Sequence, residues 1–245
     1  MVNHFKIIVP TYNNEKWIKI CINSVKKQQY SNFQCIIVDD CSTDRSVEII
    51  KETIKTDKRF VLVENKTRQK ALKNIYEAIE LSNPNEQDII ITLDGDDFLF
   101  GDLVLSKVNL AYLENKCWMT YGSYAEFPSN KRGKFSQKIP ERIIENNLFR
   151  ENLWMSSHMR TFKFHLWNSI EKKDLMDNDR FCDGAWDMSF MFPMLEMSGY
   201  KSFFIEDILY IYNRSNPINE DKVNHEKLLK SEKNIRKMKK YKRRV

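Results

Sequence analysis

Asp94-Gly95-Asp96-Asp97 follows directly on the apolar run Ile89-Ile90-Ile91-Thr92-Leu93. Three carboxylates within four residues repel one another, and a packed domain keeps them together only where positive charge offsets the cost. A hard divalent cation such as Mg²⁺ or Mn²⁺ does this. It takes oxygen ligands from one or two carboxylates and completes its shell with water and phosphate oxygens. Asp94-x-Asp96 at a strand end supplies that arrangement, and Gly95 lets the backbone turn tightly beside a ligand. The competing account is a solvated acidic turn whose Asp side chains cap a helix.

Two more polar clusters end apolar runs in the same way. Ile7-Ile8-Val9 runs into Pro10-Thr11-Tyr12-Asn13, and Ile36-Ile37-Val38 into Asp39-Asp40-Cys41-Ser42-Thr43-Asp44. Asp39-Asp40 can accept hydrogen bonds from a ligand, and a carboxylate there suits the ring N–H of uracil. Ser42, Thr43 and Asp44 are candidates to cap the helix that follows. Arg68, Lys70 and Lys73 open the third helical segment with charge that could balance a diphosphate, a solvated helix face being the alternative. None of the six glycines stands in a G-x-G-x-x-G or G-x-x-x-x-G-K pattern. Dinucleotide and P-loop readings therefore lose their phosphate cradle, and metal-assisted phosphate binding remains.

The elements that must position these clusters alternate regularly. β-rich runs near 5–9, 34–38, 60–63 and 88–93 are separated by segments of helical periodicity. Trp17, Ile18, Cys21, Ile22 and Val25 mark one such face, Val47, Ile50 and Ile54 a second, and Ala71, Leu72, Ile75, Ala78 and Ile79 a third. This alternation predicts an α/β fold: a mostly parallel sheet flanked by helices, with ligands beyond the carboxyl ends of the strands. All three polar clusters lie at such ends. Further along, 103–113 reads as a helix, 117–124 as a strand, and 125–147 as a polar, mobile loop region. Pro193 should kink or end a helix, and 202–212 reads as a strand.

Bulk properties set the remaining bounds. A chain of 245 residues suits one large domain, or one with an appendage. No run approaches a membrane-spanning length, and the start carries no secretory apolar region, so the expected location is the cytoplasm. Five scattered cysteines without C-x-x-C spacing fit reduced thiols and argue against a structural zinc site. The net charge of +6 is unevenly spread: residues 227–245 carry +9, leaving a mildly acidic body of about −3. A nucleic-acid-binding surface is not indicated. The basic tail could instead make peripheral contact with acidic lipid headgroups, a solvated helix end being the simpler reading.

Val9-Pro10-Thr11-Tyr12-Asn13, Val38-Asp39-Asp40-Cys41-Ser42-Thr43-Asp44 and Leu93-Asp94-Gly95-Asp96-Asp97, in this order and spacing, resemble the family 2 glycosyltransferases of GT-A fold. The resemblance covers residues 3–125 strongly and 150–215 more loosely. It implies an inverting transferase that uses a nucleotide-diphosphate sugar, with UDP the expected nucleotide, and a divalent metal, Mn²⁺ or Mg²⁺. A glycan, a lipid-linked molecule or a protein would be the acceptor. Carried over by position, Pro10, Thr11 and Tyr12 would line the nucleoside pocket and Asp40 would meet the uracil edge. Asp94 would approach the ribose or sugar, Asp96 would bind the metal, and Asp97 would be a second ligand. The family's Asn-x-Gly…Ala-Arg-Asn pattern stands here as Asn65-Lys66-Thr67…Leu72-Lys73-Asn74, which departs at the expected diphosphate contacts. Asp187, after Trp186, takes the position of the family's base, although the usual preceding Glu is missing. A helix N-cap is the competing account for it, and Asp183 is the nearest substitute.

The resemblance divides the chain into a nucleotide-sugar-binding half at 1–124, an acceptor-side half at 125–220 and the basic tail at 221–245. Trp154, Trp186, His158-Met159-Arg160 and Tyr212-Asn213-Arg214 are further candidates on the acceptor side. Two rivals remain. A sugar-phosphate nucleotidyltransferase would need a Gly/Arg-rich loop where Thr11-Tyr12-Asn13-Asn14-Glu15 stands. A catalytically degenerate relative would act as a nucleotide-sugar, membrane or RNA binding module.

Overall fold

The computed structural model describes residues 2–244. In chain order the elements are β1 (Phe5–Thr11), α1 (Ile18–Lys26), β2 (Phe33–Asp39), α2 (Ser46–Ile54), β3 (Phe60–Glu64), α3 (Ala71–Leu81), β4 (Ile89–Thr92), β5 (Phe98–Leu99), α4 (Val104–Asn115) and β6 (Met119–Phe127). They continue with α5 (Glu141–Glu145), β7 (Thr161–Lys163), α6 (Phe164–Trp167), β8 (Met176–Asp177), β9 (Arg180–Phe181), α7 (Trp186–Ser198), β10 (Ser202–Asn213), α8 (Glu220–Val223) and α9 (His225–Lys237).

Eight strands form one sheet in the order β3-β2-β1-β4-β7-β6-β10-β5. The four N-terminal strands are parallel, β6 and β10 are parallel, and β7 and β5 run against their neighbours. The alternation of runs therefore gives the expected mostly parallel α/β sheet. Strand order reverses between β1 and β4, which places a ligand-binding crevice beyond their carboxyl ends.

Strand period explains the two apolar layers. Ile8, Ile36, Val38 and Ile90 face α3 and α7, whereas Ile7, Val9, Ile37, Ile89 and Ile91 face α1, α2 and α4. Both faces of the central strands are buried, so the runs read as continuously apolar. No helix of the described residues is long and apolar enough to cross a membrane.

Several local expectations need correction. Ser42 and Thr43 do not cap α2; they bond Asn13, and Asp44 accepts from Ser46 N at 2.9 Å instead. The stretch 125–147 is not simply a mobile loop. β6 extends to Phe127, α5 forms within the stretch, and Ile139, Ile143 and Ile144 enter the core. Pro193 does not end its helix. α7 runs on to Ser198 and is buried at every residue from Met188 to Ser198, so packing outweighs the lost backbone bond of about 3 kcal/mol. Residues 225–244 lie on the body: Ile235 is buried, Tyr241 N donates to Glu196 Oε2 at 2.9 Å, and Arg244 N donates to Met197 O at 2.9 Å.

Candidate active site

Sheet register brings the first three clusters together. Thr11 pairs with Asp39 across β1 and β2, and Ile8 pairs with Thr92 across β1 and β4. The residues just beyond these strands then share one cleft of about 430 Å³. Pro10, Thr11, Tyr12, Asp40, Arg68, Lys70, Asp94, Gly95, Asp96 and Asp187 all line it. Asp39, Lys73, Asp97 and Asp183, also singled out from the sequence for ligand, diphosphate, metal and base roles, are not among the lining residues.

Gly95 has a specific steric reason to be glycine. A Cβ there would lie 2.5 Å from Thr11 Oγ1 and 2.6 Å from Thr11 Cβ. Gly95 N also donates to Pro10 O at 3.1 Å. The acidic turn is thus pressed against the end of β1, and the missing side chain serves that close approach.

Asp40 is buried, and its own chain surrounds the carboxylate. Gln69 N donates to Oδ1 at 2.7 Å and Lys70 N to Oδ2 at 2.9 Å, both from the entry to α3. Asn65 Nδ2 adds a bond to Oδ1 at 3.1 Å, and Arg68 Nε one to Oδ2 at 2.9 Å. Burial alone would push this carboxyl up, but the hydrogen bonds from Gln69, Asn65 and Lys70 outweigh it and hold it below the usual carboxylate range. Asn65 also donates to Asn74 Oδ1 at 2.7 Å, so the departed family pattern braces Asp40.

Arg68 lies where a nucleobase was expected. Its guanidinium sits 3.3 Å over the Tyr12 ring while bonded to Asp40. Lys70 turns its ammonium toward Asp183 at 3.9 Å, and Lys227 from α9 reaches the same carboxylate oxygen at 2.5 Å.

The acidic cluster divides. Asp97 is 1 % exposed; its Oδ2 accepts from Tyr210 OH at 2.6 Å and its Oδ1 from Asn213 N at 2.7 Å. It ties the acidic turn to β10. Asp96 faces the cleft, where Oδ2 accepts from Asn216 Nδ2 at 2.8 Å. Burial pushes the Asp96 carboxyl up. Burial, and then the neighbouring Asp96 and Asp94, push Asp97 well above the usual carboxylate range.

His158 adds a further ligand atom. Burial, and then Arg160, push its imidazole well below the ordinary histidine range, so it is neutral, and its Nδ1 has no hydrogen-bond partner among the described residues. One atom each from Asp94, Asp97 and His158 lie within 4.8 Å of one another. Carboxylates beside a neutral imidazole fit a divalent cation such as Mn²⁺.

The opposite wall comes from later in the chain. Asp187 stands in the first turn of α7, with Oδ1 accepting from Met188 N at 3.0 Å and Oδ2 from Arg160 Nη1 at 2.6 Å. Trp186 and Tyr212 line the cleft, whereas Trp154 packs in the core against Phe192. Arg214 sits over the Tyr212 ring at 5.6 Å.

Asn74 of the family pattern also lines the cleft, as do Asn14, Asn216, Ile218, Val223 and Leu228, which were not singled out from the sequence. The run Asn216-Pro217-Ile218-Asn219 after a strand was the one available signal for this wall. Its value depends on Asn216, which reaches both Asp96 and Asn14 (Oδ1 at 3.2 Å).

Comparison with known proteins bears on the family and the fold. The model of the family described as glycosyl transferase family 2 matches residues 6–171. An uncharacterized glycosyltransferase of Haemophilus influenzae is 40 % identical over 121 residues, covering 49 % of this chain and 46 % of its own length. Glycosyltransferase GlyA of Streptococcus pneumoniae is 26 % identical over 213 residues, 84 % of this chain and 30 % of GlyA. The chain thus spans less than half the length of these relatives. Staphylococcus aureus TarS 1–349, solved in complex with UDP-GlcNAc, has a TM-score of 0.72 at 20 % identity over 95 % of this chain and 65 % of that one. That likeness is one of fold, the GT-A sheet expected from the motifs. With two thirds of its length matched by the family model, the chain belongs to glycosyl transferase family 2.

Proposed function

We propose that the cleft binds a UDP-linked sugar together with a divalent cation and transfers the sugar, with inversion, to a hydroxyl of a glycan, lipid-linked or protein acceptor. The convergence of Tyr12, Asp40, Asp94, Asp96 and Asp187 on one cleft carries this reading. The preference for UDP draws support from the carboxylate of Asp40 and from the UDP-GlcNAc bound to TarS.

Each wall has its own task in this reading. Tyr12 offers a face for the base and Asp40 an acceptor for its ring N–H. A base seated there takes the place that Arg68 holds, so Arg68 must swing aside or close over it. Asp94 orients the ribose or sugar. Asp96, on the cleft wall, would hold the cation, and Asp94, Asp97 and His158, whose ligand atoms lie within 4.8 Å of one another, would offer further ligands. When bound, that cation stabilises the negative charge that grows on the departing diphosphate. Asp187, on the far side of the anomeric carbon, takes the proton of the acceptor hydroxyl as its oxygen attacks. The bond to the diphosphate breaks as the new glycosidic bond forms, through a transition state of oxocarbenium character.

A thermal-shift panel of nucleotide sugars with and without Mn²⁺ tests the reading. One UDP-sugar should raise the melting temperature only with Mn²⁺, and Asp96→Ala should abolish the rise. A wild-type protein that responds to no nucleotide sugar, with or without metal, would overturn it.

A further inference from the structure

Arg160 is 2 % exposed, yet it lines the cleft. It projects from the backbone immediately before β7. Nη1 donates to Asp187 Oδ2 at 2.6 Å, and Nη2 lies 3.8 Å from Asp94 Oδ2. Its guanidinium is 5.3 Å from the centre of the Trp186 ring, and its Nε has no hydrogen-bond partner among the described residues. A guanidinium withdrawn this far from water is costly, more so with one donor unpaired. An apolar side chain would fill the space at lower cost. What the guanidinium adds is a fork that reaches two carboxylates on opposite walls of the cleft.

The second anchor on Asp187 gives the fork its consequence. Met188 N holds Oδ1 and Arg160 holds Oδ2. One bond to each oxygen fixes the carboxylate plane, and each oxygen keeps a lone pair for an acceptor hydroxyl. Without Arg160, the side chain at the start of α7 could rotate about χ1 and χ2. We propose that Arg160 is a positioning residue for the transfer: it fixes the Asp187 carboxylate at the angle from which that group takes the acceptor proton, and sets its spacing from Asp94. This rests on the reading of Asp187 as the base. A lysine cannot reproduce the fork, because its ammonium is a point charge on a flexible stem.

The test measures hydrolysis of the UDP-sugar selected by the thermal-shift panel, with water as acceptor, at saturating donor and Mn²⁺. Arg160→Gln should lower kcat about 10²-fold, the scale of loss from misplacing a reacting group by about 1 Å. Its donor KM and the Kd for UDP should stay within about 2-fold of wild type, on the scale of measurement error in additive behaviour. Arg160→Lys should recover part of the rate, and it retains the buried charge if the Gln variant fails to fold. Asp187→Asn should lose at least as much, and the double variant should be no slower than Asp187→Asn alone. Wild-type kcat in Arg160→Gln would overturn the proposal, as would a double variant that loses the product of both factors. A loss confined to KM or to UDP affinity would do the same. Full activity in Asp187→Asn would instead sink the base assignment itself.

Discussion

The two walls of the cleft are built on different principles. One wall is the row of strand tips after β1, β2 and β4, where parallel register alone sets Tyr12, Asp40 and Asp94 side by side. The other gathers Arg160 from the segment before β7, Asp187 from α7, and the segment from Asn216 to Leu228. Sheet register sets only Arg160, through its neighbour Thr161, which pairs with Ile91; Asp187 and the segment after β10 have no such register. They depend on contacts such as Asn216 to Asp96, Lys227 to Asp183 and Arg160 to Asp187. The strand-tip wall is stiff and local, and the far wall is only as firm as the packing of the C-terminal third.

This contrast can be broken most forcefully at the far wall's base. Asp187→Asn should cut donor hydrolysis by ~10²–10⁴-fold, the usual contribution of a general base. UDP binding to the strand-tip wall should be preserved, and calorimetric loss of UDP affinity in this variant would blur the division between the walls.

Next in size is the buried pair behind the far wall. Arg150 Nε meets Glu196 Oε1 at 2.5 Å, Arg150 Nη2 meets Oε2 at 3.0 Å, and Tyr241 N also bonds Oε2. Glu196→Gln should cost about 3–5 kcal/mol in urea unfolding, because it leaves Arg150 buried and uncompensated. Amide exchange should then rise first in 238–244. Uniform loss of protection across β1, β2 and β4 would show that the walls do not come apart separately.

A smaller loss tests the stiffness of the strand tips. Gly95→Ala places a Cβ 2.5 Å from Thr11 Oγ1, and forced overpacking of that kind costs about 1–3 kcal/mol. Its melting temperature should fall and its Mn²⁺-dependent donor shift weaken. An unchanged melt would mean that the acidic turn yields more easily than the sheet register suggests.

The smallest effect concerns His158. Burial, and then Arg160, keep it neutral when folded, whereas the unfolded chain takes up a proton below about pH 6.5. Its contribution to stability is therefore present above that pH and lost as pH falls toward the depressed folded value. Wild type should lose up to about 1.4 kcal/mol per pH unit relative to His158→Gln in paired denaturant titrations. Parallel curves for the two proteins would contradict a neutral buried imidazole.

Much of this was legible before any coordinates. Apolar runs of strand length ending in Pro10-Thr11-Tyr12, Asp39-Asp40 and Asp94-Gly95-Asp96 imply their own neighbourhood, because parallel strands put like ends together. Arg68 was less legible. Its charge suggested a diphosphate partner, but the fold stacks it on Tyr12 and pairs it with Asp40. Asp97 looked equivalent to Asp96 in sequence, and only β10, with Tyr210 and Asn213, distinguishes the two. The basic segment read as a tail because helix α9 carries only one fully buried apolar residue, Ile235, and the half-buried Leu228 among its lysines.

From its sequence alone this protein fixed the α/β sheet, the carboxyl-end location of the cleft and the identity of the acidic turn. Each follows from local periodicity and from the geometry of parallel strands. Tertiary structure decided which acidic groups face the cleft, which cation stands beside Asp187, and that residues 216–228 close the far side. Those choices rest on side chains from segments distant in the chain, and their meeting depends on how helices and β10 pack on the sheet, which no local pattern encodes.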